Sequence, residues 1–224
     1  MIDYERQRLN MVESQLRPNE VTDRRLLAAM GTLPRELFVP ASRRGFAYMD
    51  DAVEVWPSID GAPARFLMAP MVLARLIQLA MVEPEDAVLD VGCATGYATA
   101  VLSCLAYSVT GLEPEPELAS AARRTLHALD IENAVIATGP LAKGHADRGP
   151  YDVILVNGSV PEIPESLLGQ LKEGGRLVAV VSPNAGQGKA YLFVKVEGEA
   201  SGLAHFDAGA KPLPGFAPEP CFAF

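Results

Sequence analysis

The chain has 224 residues, 49% of them hydrophobic and 21% charged, enough apolar material for one sizeable core and little room for a second independent domain. A formal net charge of -9, with 19 scattered lysines and arginines, argues against a surface built to neutralise nucleic-acid phosphates. No run approaches the roughly 18 apolar residues of a membrane span, and the charged start Met1-Ile2-Asp3-Tyr4-Glu5-Arg6 lacks an apolar leader core, so a soluble, cytoplasmic protein without a membrane partner is expected.

The elements follow in chain order. Leu9, Val12 and Leu16 share a helical spacing within 4–16, and Arg17-Pro18 ends that helix. Thr22 or Asp23 caps a second helix running through Met30, with Gly31 at its end. The breaker-rich stretch 33–40 reads as irregular. An amphipathic helix is expected over 70–82, before Pro84. From there strand-like and helix-like segments alternate at 87–91, 95–106, 107–112, 115–130, 134–138, 151–156, 164–172, 175–182 and 189–196. This pattern predicts an α/β, Rossmann-like, doubly wound fold: a mostly parallel sheet, helices on both faces, and an N-terminal helical extension. Pro183 to Gly188 reads as a turn-rich connection and Gly198 to Pro220 as a Gly/Pro/Ala-rich tail. The expected organisation is one domain, with an N-terminal segment over 1–82, an α/β core over 83–198 and a tail over 199–224.

Cys93, Cys104 and Cys221 are odd in number and lack metal-ligand spacing, which suggests reduced thiols. His127, His145 and His205 are isolated, so no metal site is expected.

The densest signal is Val88-Leu89-Asp90-Val91-Gly92-Cys93-Ala94-Thr95-Gly96-Tyr97. A strand-length apolar run leads into glycines that allow a sharp turn and close backbone approach to a ligand. Glu113 ends the next strand-like run about 20 residues beyond Gly92, where doubly wound folds place a ribose-binding carboxylate. Ligands in such sheets bind outside the carboxyl ends of the strands, an edge that here gathers Gly92 to Gly96, Glu113, Gly139 to Leu141 and Asn157 to Val160. A phosphate loop would need Gly-Lys-Ser/Thr, and no lysine follows Gly96. A dinucleotide fingerprint would put Ala94 and Tyr97 at glycine positions. What remains is Asp-x-Gly-x-x-x-Gly, which resembles motif I of the class I S-adenosylmethionine-dependent methyltransferases.

A closer resemblance covers nearly the whole chain. Met11-Val12, Gln15-Leu16, Asp23, Leu26, Ala29, Pro34-Arg35, Phe38-Val39-Pro40 and Ala47-Tyr48-Met49-Asp50 are similar to the N-terminal part of the protein-L-isoaspartate O-methyltransferases. Val88 to Ala100 resembles their motif I, and Tyr151-Asp152 with Ile154 and Val156 their fourth core strand. Ile163-Pro164, Leu167, Gln170-Leu171 and Gly174-Gly175-Arg176-Leu177-Val178 match the helix and strand that follow.

The resemblance implies methyl transfer from S-adenosylmethionine to an isoaspartyl carboxylate in a peptide or protein, leaving S-adenosylhomocysteine. It implies that Asp90 orients the turn or the methionine moiety, that Gly92, Ala94 and Gly96 admit the cofactor, and that Glu113 holds the ribose, with Cys93, Tyr97, Pro114, Pro140 and Leu141 also at the cofactor. Two departures stand out. Where the family carries Gly-Gln-Thr-Ile-Ser-Gln-Pro, this chain has Ala64-Arg65-Phe66-Leu67-Met68-Ala69-Pro70, which removes hydroxyls on the acceptor side. Gly139-Pro140-Leu141 stands in place of Gly-Asp-Gly near the adenine. Trp56, Phe66, Leu67, Met68 and Ala69 are therefore expected to line the acceptor pocket. Three readings stay open: a carboxylate methyltransferase acting on isoaspartyl residues, a methyltransferase with an apolar small-molecule acceptor, and a non-catalytic cofactor-binding or interaction protein. The oligomeric state is not legible in the sequence.

Overall fold

The computed structural model of the chain describes residues 2–59, 63–183 and 187–216. Cys221 lies outside them.

Seven strands form the main sheet in the order β5-β4-β3-β6-β7-β8-β9: β3 (Ala87–Val91), β4 (Ser108–Glu113), β5 (Ala134–Thr138), β6 (Tyr151–Val160), β7 (Leu171–Val181), β8 (Gly188–Val196) and β9 (Glu199–Ala208). From β5 to β7 all pairings are parallel, whereas β8 and β9 join antiparallel. The chain winds outward through β3, β4 and β5, then returns to the other side of β3 with β6. The order therefore reverses between β3 and β6, and such sheets bind ligands at the crevice beyond that point.

Side-chain alternation splits the core in two. Val88, Val153, Leu155, Val178 and Val180 face one cluster, shared with α3 (Pro70–Leu79), α4 (Tyr97–Ser103), α5 (Pro116–Ala128) and the N-terminal segment. Leu89, Val91, Ile154, Val156, Leu177 and Ala179 face the other, which is covered by Leu167 and Leu168 of the short α6 (Glu165–Leu168) with Leu141 and Phe216. The expected two-sided cover is present, with most of the helical mass on one side.

Several expected boundaries shift. The first helix is α-helical only over α1 (Tyr4–Met11) and continues as a wider π turn to Leu16. Asp23 caps α2 (Arg24–Thr32), accepting bonds from the backbone N–H groups of Arg25 and Leu26, and Gly31 lies inside that helix rather than beyond it. Of the helix expected over 164–172, only Glu165–Leu168 is helical, and Leu171 already begins β7. The first ten residues of the expected tail are instead the strand β9, which forms a hairpin with β8.

The N-terminal segment is clamped onto the glycine turn. Arg35 is fully buried, with Nε donating to the Ala47 carbonyl at 2.7 Å, Nη2 donating to the Met68 carbonyl at 2.8 Å, and its guanidinium 4.6 Å from the Tyr97 ring centroid. The Tyr97 ring meets Phe38 edge-on at 5.5 Å, and Thr95 Oγ1 donates to the Phe38 carbonyl at 2.6 Å. A separate two-stranded ribbon, β1 (Val53–Trp56) with β2 (Arg65–Leu67), lies between this segment and α3 in the chain.

Candidate active site

The turn after β3 is built from left-handed backbone: Gly92, Ala94 and Gly96 have φ of 86°, 49° and 92°. Gly92 and Cys93 both donate to the Leu112 carbonyl, at 2.8 and 3.1 Å, and Gly96 donates to that of Cys93 at 2.8 Å before opening α4. Ala94 occupies its unfavourable region because Glu113 Oε2 accepts its N–H at 2.8 Å. The acidic residue at the end of β4 therefore holds the turn together as well as lying at the sheet edge.

Glu113 is completely buried, and its other oxygen is ion-paired with Arg65 Nη1 from β2. Arg65 Nη2 also donates to the Gly92 carbonyl at 3.2 Å. Burial pushes the Glu113 carboxyl upward, while the Arg65 guanidinium and the Ala94 N–H oppose that push.

Asp90, also fully buried, accepts from Thr99 Oγ1 at 2.7 Å and from Asn157 Nδ2 at 3.2 Å, which links β3, α4 and the end of β6. Burial raises its pKa to about 6, more than those two hydrogen bonds lower it. A carboxyl raised in the folded state contributes its full stability below the unfolded value near 4 and loses it as the pH passes 6. Asp90→Asn is accordingly expected to gain stability relative to the parent between pH 4 and pH 7, by on the order of 2–3 kcal/mol at most. Urea unfolding of both proteins at four pH values reads that difference, and a constant gap across the range contradicts it.

The tail reaches the same crevice. Ser159 on β6 donates to the Lys211 carbonyl at 2.9 Å and accepts from Leu213 N–H at 2.9 Å, so the segment after β9 runs beside the end of β6. Leu213 then lies over the glycines: a Cβ added to Gly92 would stand 2.8 Å from Leu213 Cδ2, and one on Gly158 would stand 2.6 Å from its Cγ. Beside Leu213 opens a cavity of about 300 Å³, lined by Asp51, Ala64, Arg65, Phe66, Met68, Ala69, Asn157, Lys211 and their neighbours. Lys211 Nζ lies 5.3 Å from the Phe66 ring centroid.

Phe66, Met68 and Ala69 line this cavity, but two residues expected there do not. Leu67 packs in the core, and Trp56 is not among the described lining residues. Two of the expected cofactor contacts also turn their side chains inward. Cys93 Sγ is buried against Gly111, in surroundings that push the thiol well above its usual pKa, and Tyr97 packs on Phe38 and Arg35. Both present backbone, not side chain, to the turn. Pro114 directly follows Glu113. Pro140 begins the turn holding the buried Leu141, next to Gly139, whose N–H donates to the Glu113 carbonyl at 3.4 Å. Arg65, Lys211 and Leu213 were missed; the available signal was Arg65 itself, a lone charge inside an apolar run.

Residues 6–204 match the sequence profile of the family described as protein-L-isoaspartate(D-aspartate) O-methyltransferase (PCMT). A protein-L-isoaspartate O-methyltransferase of Koribacter versatilis is 40% identical over 174 residues, covering 78% of this chain and 76% of its own. Protein-L-isoaspartate O-methyltransferase 1 of Syntrophobacter fumaroxidans is 34% identical over 209 residues, 93% of either chain. A solved protein-L-isoaspartate O-methyltransferase structure superposes with a TM-score of 0.80 at 25% identity, covering 95% of this chain and 67% of the other. A Plasmodium falciparum structure assigned to the same enzyme class, and determined with S-adenosyl-L-homocysteine, superposes with a TM-score of 0.74 at 22% identity, covering 93% of this chain and 98% of that one. In the second case the likeness is one of fold.

Proposed function

The chain belongs to the protein-L-isoaspartate(D-aspartate) O-methyltransferase family and is an S-adenosylmethionine-dependent methyltransferase; from that premise we propose that it methylates the free carboxylate of isoaspartyl residues in peptides or proteins. The observation that carries the acceptor class is the cavity beside the glycine turn, whose described lining residues include two cationic side chains, Arg65 and Lys211, and a single carboxylate, Asp51. Once Arg65 is released from Glu113, that lining carries a net positive charge, which suits an anionic acceptor.

The cradle fits the cofactor. It offers one fully buried carboxylate, Glu113, and a turn whose left-handed glycines keep β-carbons away from the crevice. Two groups now share that space: Arg65 is paired with Glu113, and Leu213 covers Gly92. Both are side chains that can move without unwinding a strand. With them displaced, Glu113 would hold the ribose hydroxyls and the backbone of Gly92 to Gly96 would approach the amino-acid end. Asp90 would fix the turn through Thr99 and Asn157, and Pro114, Pro140 and Leu141 would flank the adenosine.

Bound S-adenosylmethionine supplies a methyl group on a sulfonium, to which an acceptor oxygen forms its new bond while the C–S pair stays on sulfur. The protein needs no base for this, since a carboxylate with a reference pKa near 4 is already ionised at neutral pH. In keeping with that, no histidine is among the described residues lining the cavity. What the chain's own residues contribute is alignment and exclusion of water, effects that can together be worth on the order of 7–11 kcal/mol. No helix among the described residues is long and apolar enough to cross a membrane, and the free thiols Cys93 and Cys104 suit the reducing cytoplasm in which we place the enzyme.

Transfer of labelled methyl from S-adenosylmethionine to an isoaspartyl peptide, with its normal aspartyl twin alongside, tests the proposal. Base-labile label confined to the isoaspartyl peptide is the expected result. Absence of label, in a sample shown to bind S-adenosylhomocysteine, would reject the acceptor.

A further inference from the structure

We propose that Arg65 is the residue that recognises the acceptor carboxylate, and that binding of the cofactor is what frees it to do so. The inference rests on the carboxylate-acceptor reading given above and adds to it a specificity-determining residue and an order of binding.

The argument begins with a conflict over one side chain. Both oxygens of Glu113 are engaged, Oε2 by the Ala94 N–H and Oε1 by Arg65 and, at 3.3 Å, by the Glu115 N–H. Ribose hydroxyls arriving at this carboxylate must take over the oxygen that Arg65 now holds. Arg65 is only 4% exposed, so its displaced guanidinium stays in a poorly solvated place. A buried cation stripped of its counter-ion is costly, and the nearest space into which it can turn is the cavity it already lines. Arginine cannot shed its proton to escape that cost.

A second anion is therefore needed, and the acceptor provides it. The planar guanidinium suits a carboxylate, and Lys211 across the same cavity adds to the positive field. Cofactor and acceptor thus become coupled through one arginine that exchanges one carboxylate for another. With no cofactor present, Glu113 outcompetes the acceptor, because that pair is preformed and buried. Against the family's Gly-Gln-Thr-Ile-Ser-Gln-Pro, Arg65 stands at the first glutamine while Phe66 and Met68 stand where the hydroxyls would be, so a cation lies next to the positions that have lost their neutral donors.

The test is binding, not turnover. Fluorescence anisotropy of a labelled isoaspartyl peptide is measured with and without saturating S-adenosylhomocysteine, together with calorimetry of S-adenosylhomocysteine itself. The peptide is expected to bind at least tenfold more tightly to the loaded protein, and by linkage to tighten S-adenosylhomocysteine by the same factor. Arg65→Gln is expected to lose about tenfold or more of peptide affinity while its affinity for S-adenosylhomocysteine is unchanged or improved. Arg65→Lys, which keeps a charge opposite Glu113, is the variant to use if the glutamine protein does not fold, and it should show a smaller loss confined to the peptide.

Equal peptide affinity with and without S-adenosylhomocysteine overturns the exchange. So does peptide binding within twofold of the parent in both variants, or a loss of S-adenosylhomocysteine affinity as large as the loss for the peptide. If the parent binds S-adenosylhomocysteine but no isoaspartyl peptide in either state, the carboxylate-acceptor reading itself has failed. A parent that binds the peptide while the variants do so equally well rejects only the role of Arg65.

Discussion

Glu113→Gln is expected to lower both stability and cofactor affinity, by two separable routes. The substitution keeps an amide oxygen for the Ala94 N–H but leaves the guanidinium of Arg65 without a counter-charge in a buried site. Breaking such a pair from one side typically costs about 3–5 kcal/mol, whereas replacing both partners with neutral groups is often close to neutral. Guanidinium unfolding should therefore show a large loss for Glu113→Gln and recovery of most of it in Glu113→Gln/Arg65→Met. S-adenosylhomocysteine affinity, measured by calorimetry, should fall at least tenfold in the single variant and stay low in the double one, since loss of a charged hydrogen bond is worth about 1.5–3 kcal/mol. A double variant that regains affinity along with stability would show that Glu113 acts on the cofactor only by organising the turn.

Gly96→Val is expected to be the most damaging single change in the turn. Its φ of 92° is strained for any L side chain, at roughly 1–2 kcal/mol, and the added Cβ would lie 3.1 Å from Ala122 Cβ on α5. Crowding a tightly packed contact adds about 1–3 kcal/mol, so a total loss of about 2–5 kcal/mol should appear in the unfolding curve. Gly198, at the β8–β9 hairpin, isolates the strain from the crowding. Its φ is 83° with nothing within 4 Å, and Gly198→Ala should show only the smaller backbone cost. If the two substitutions cost the same, the contact with α5 is unimportant.

The sequence revealed the cradle because its elements are local. A strand, two glycines and an acid at the end of the next strand leave a mark within one short stretch, and the Glu113 found by spacing is the one that binds the Ala94 N–H. The direction of side chains leaving the turn was not local. Tyr97 points away from the crevice because Phe38 and Arg35, far back in the chain, supply its packing. Arg65 looked like an ordinary polar interruption, since its partner lies four elements further on. β9 was hidden by composition: Ala200, Gly202 and Ala204 have little intrinsic strand preference, and the strand exists because β8 offers an edge to pair with. Gly202 is needed there, as a Cβ would stand 2.4 Å from the Phe193 ring.

The clamp between the N-terminal segment and the glycine turn also bears on how the polypeptide is made. Phe38 and Arg35 emerge from the ribosome early, while Tyr97, the ring they close upon, is translated much later. At about 5–20 residues per second of synthesis, the apolar surface of the opening segment stays uncovered for on the order of several seconds. Translation order thus leaves the surface around Phe38 and Arg35 uncovered until the segment carrying Tyr97 has been made.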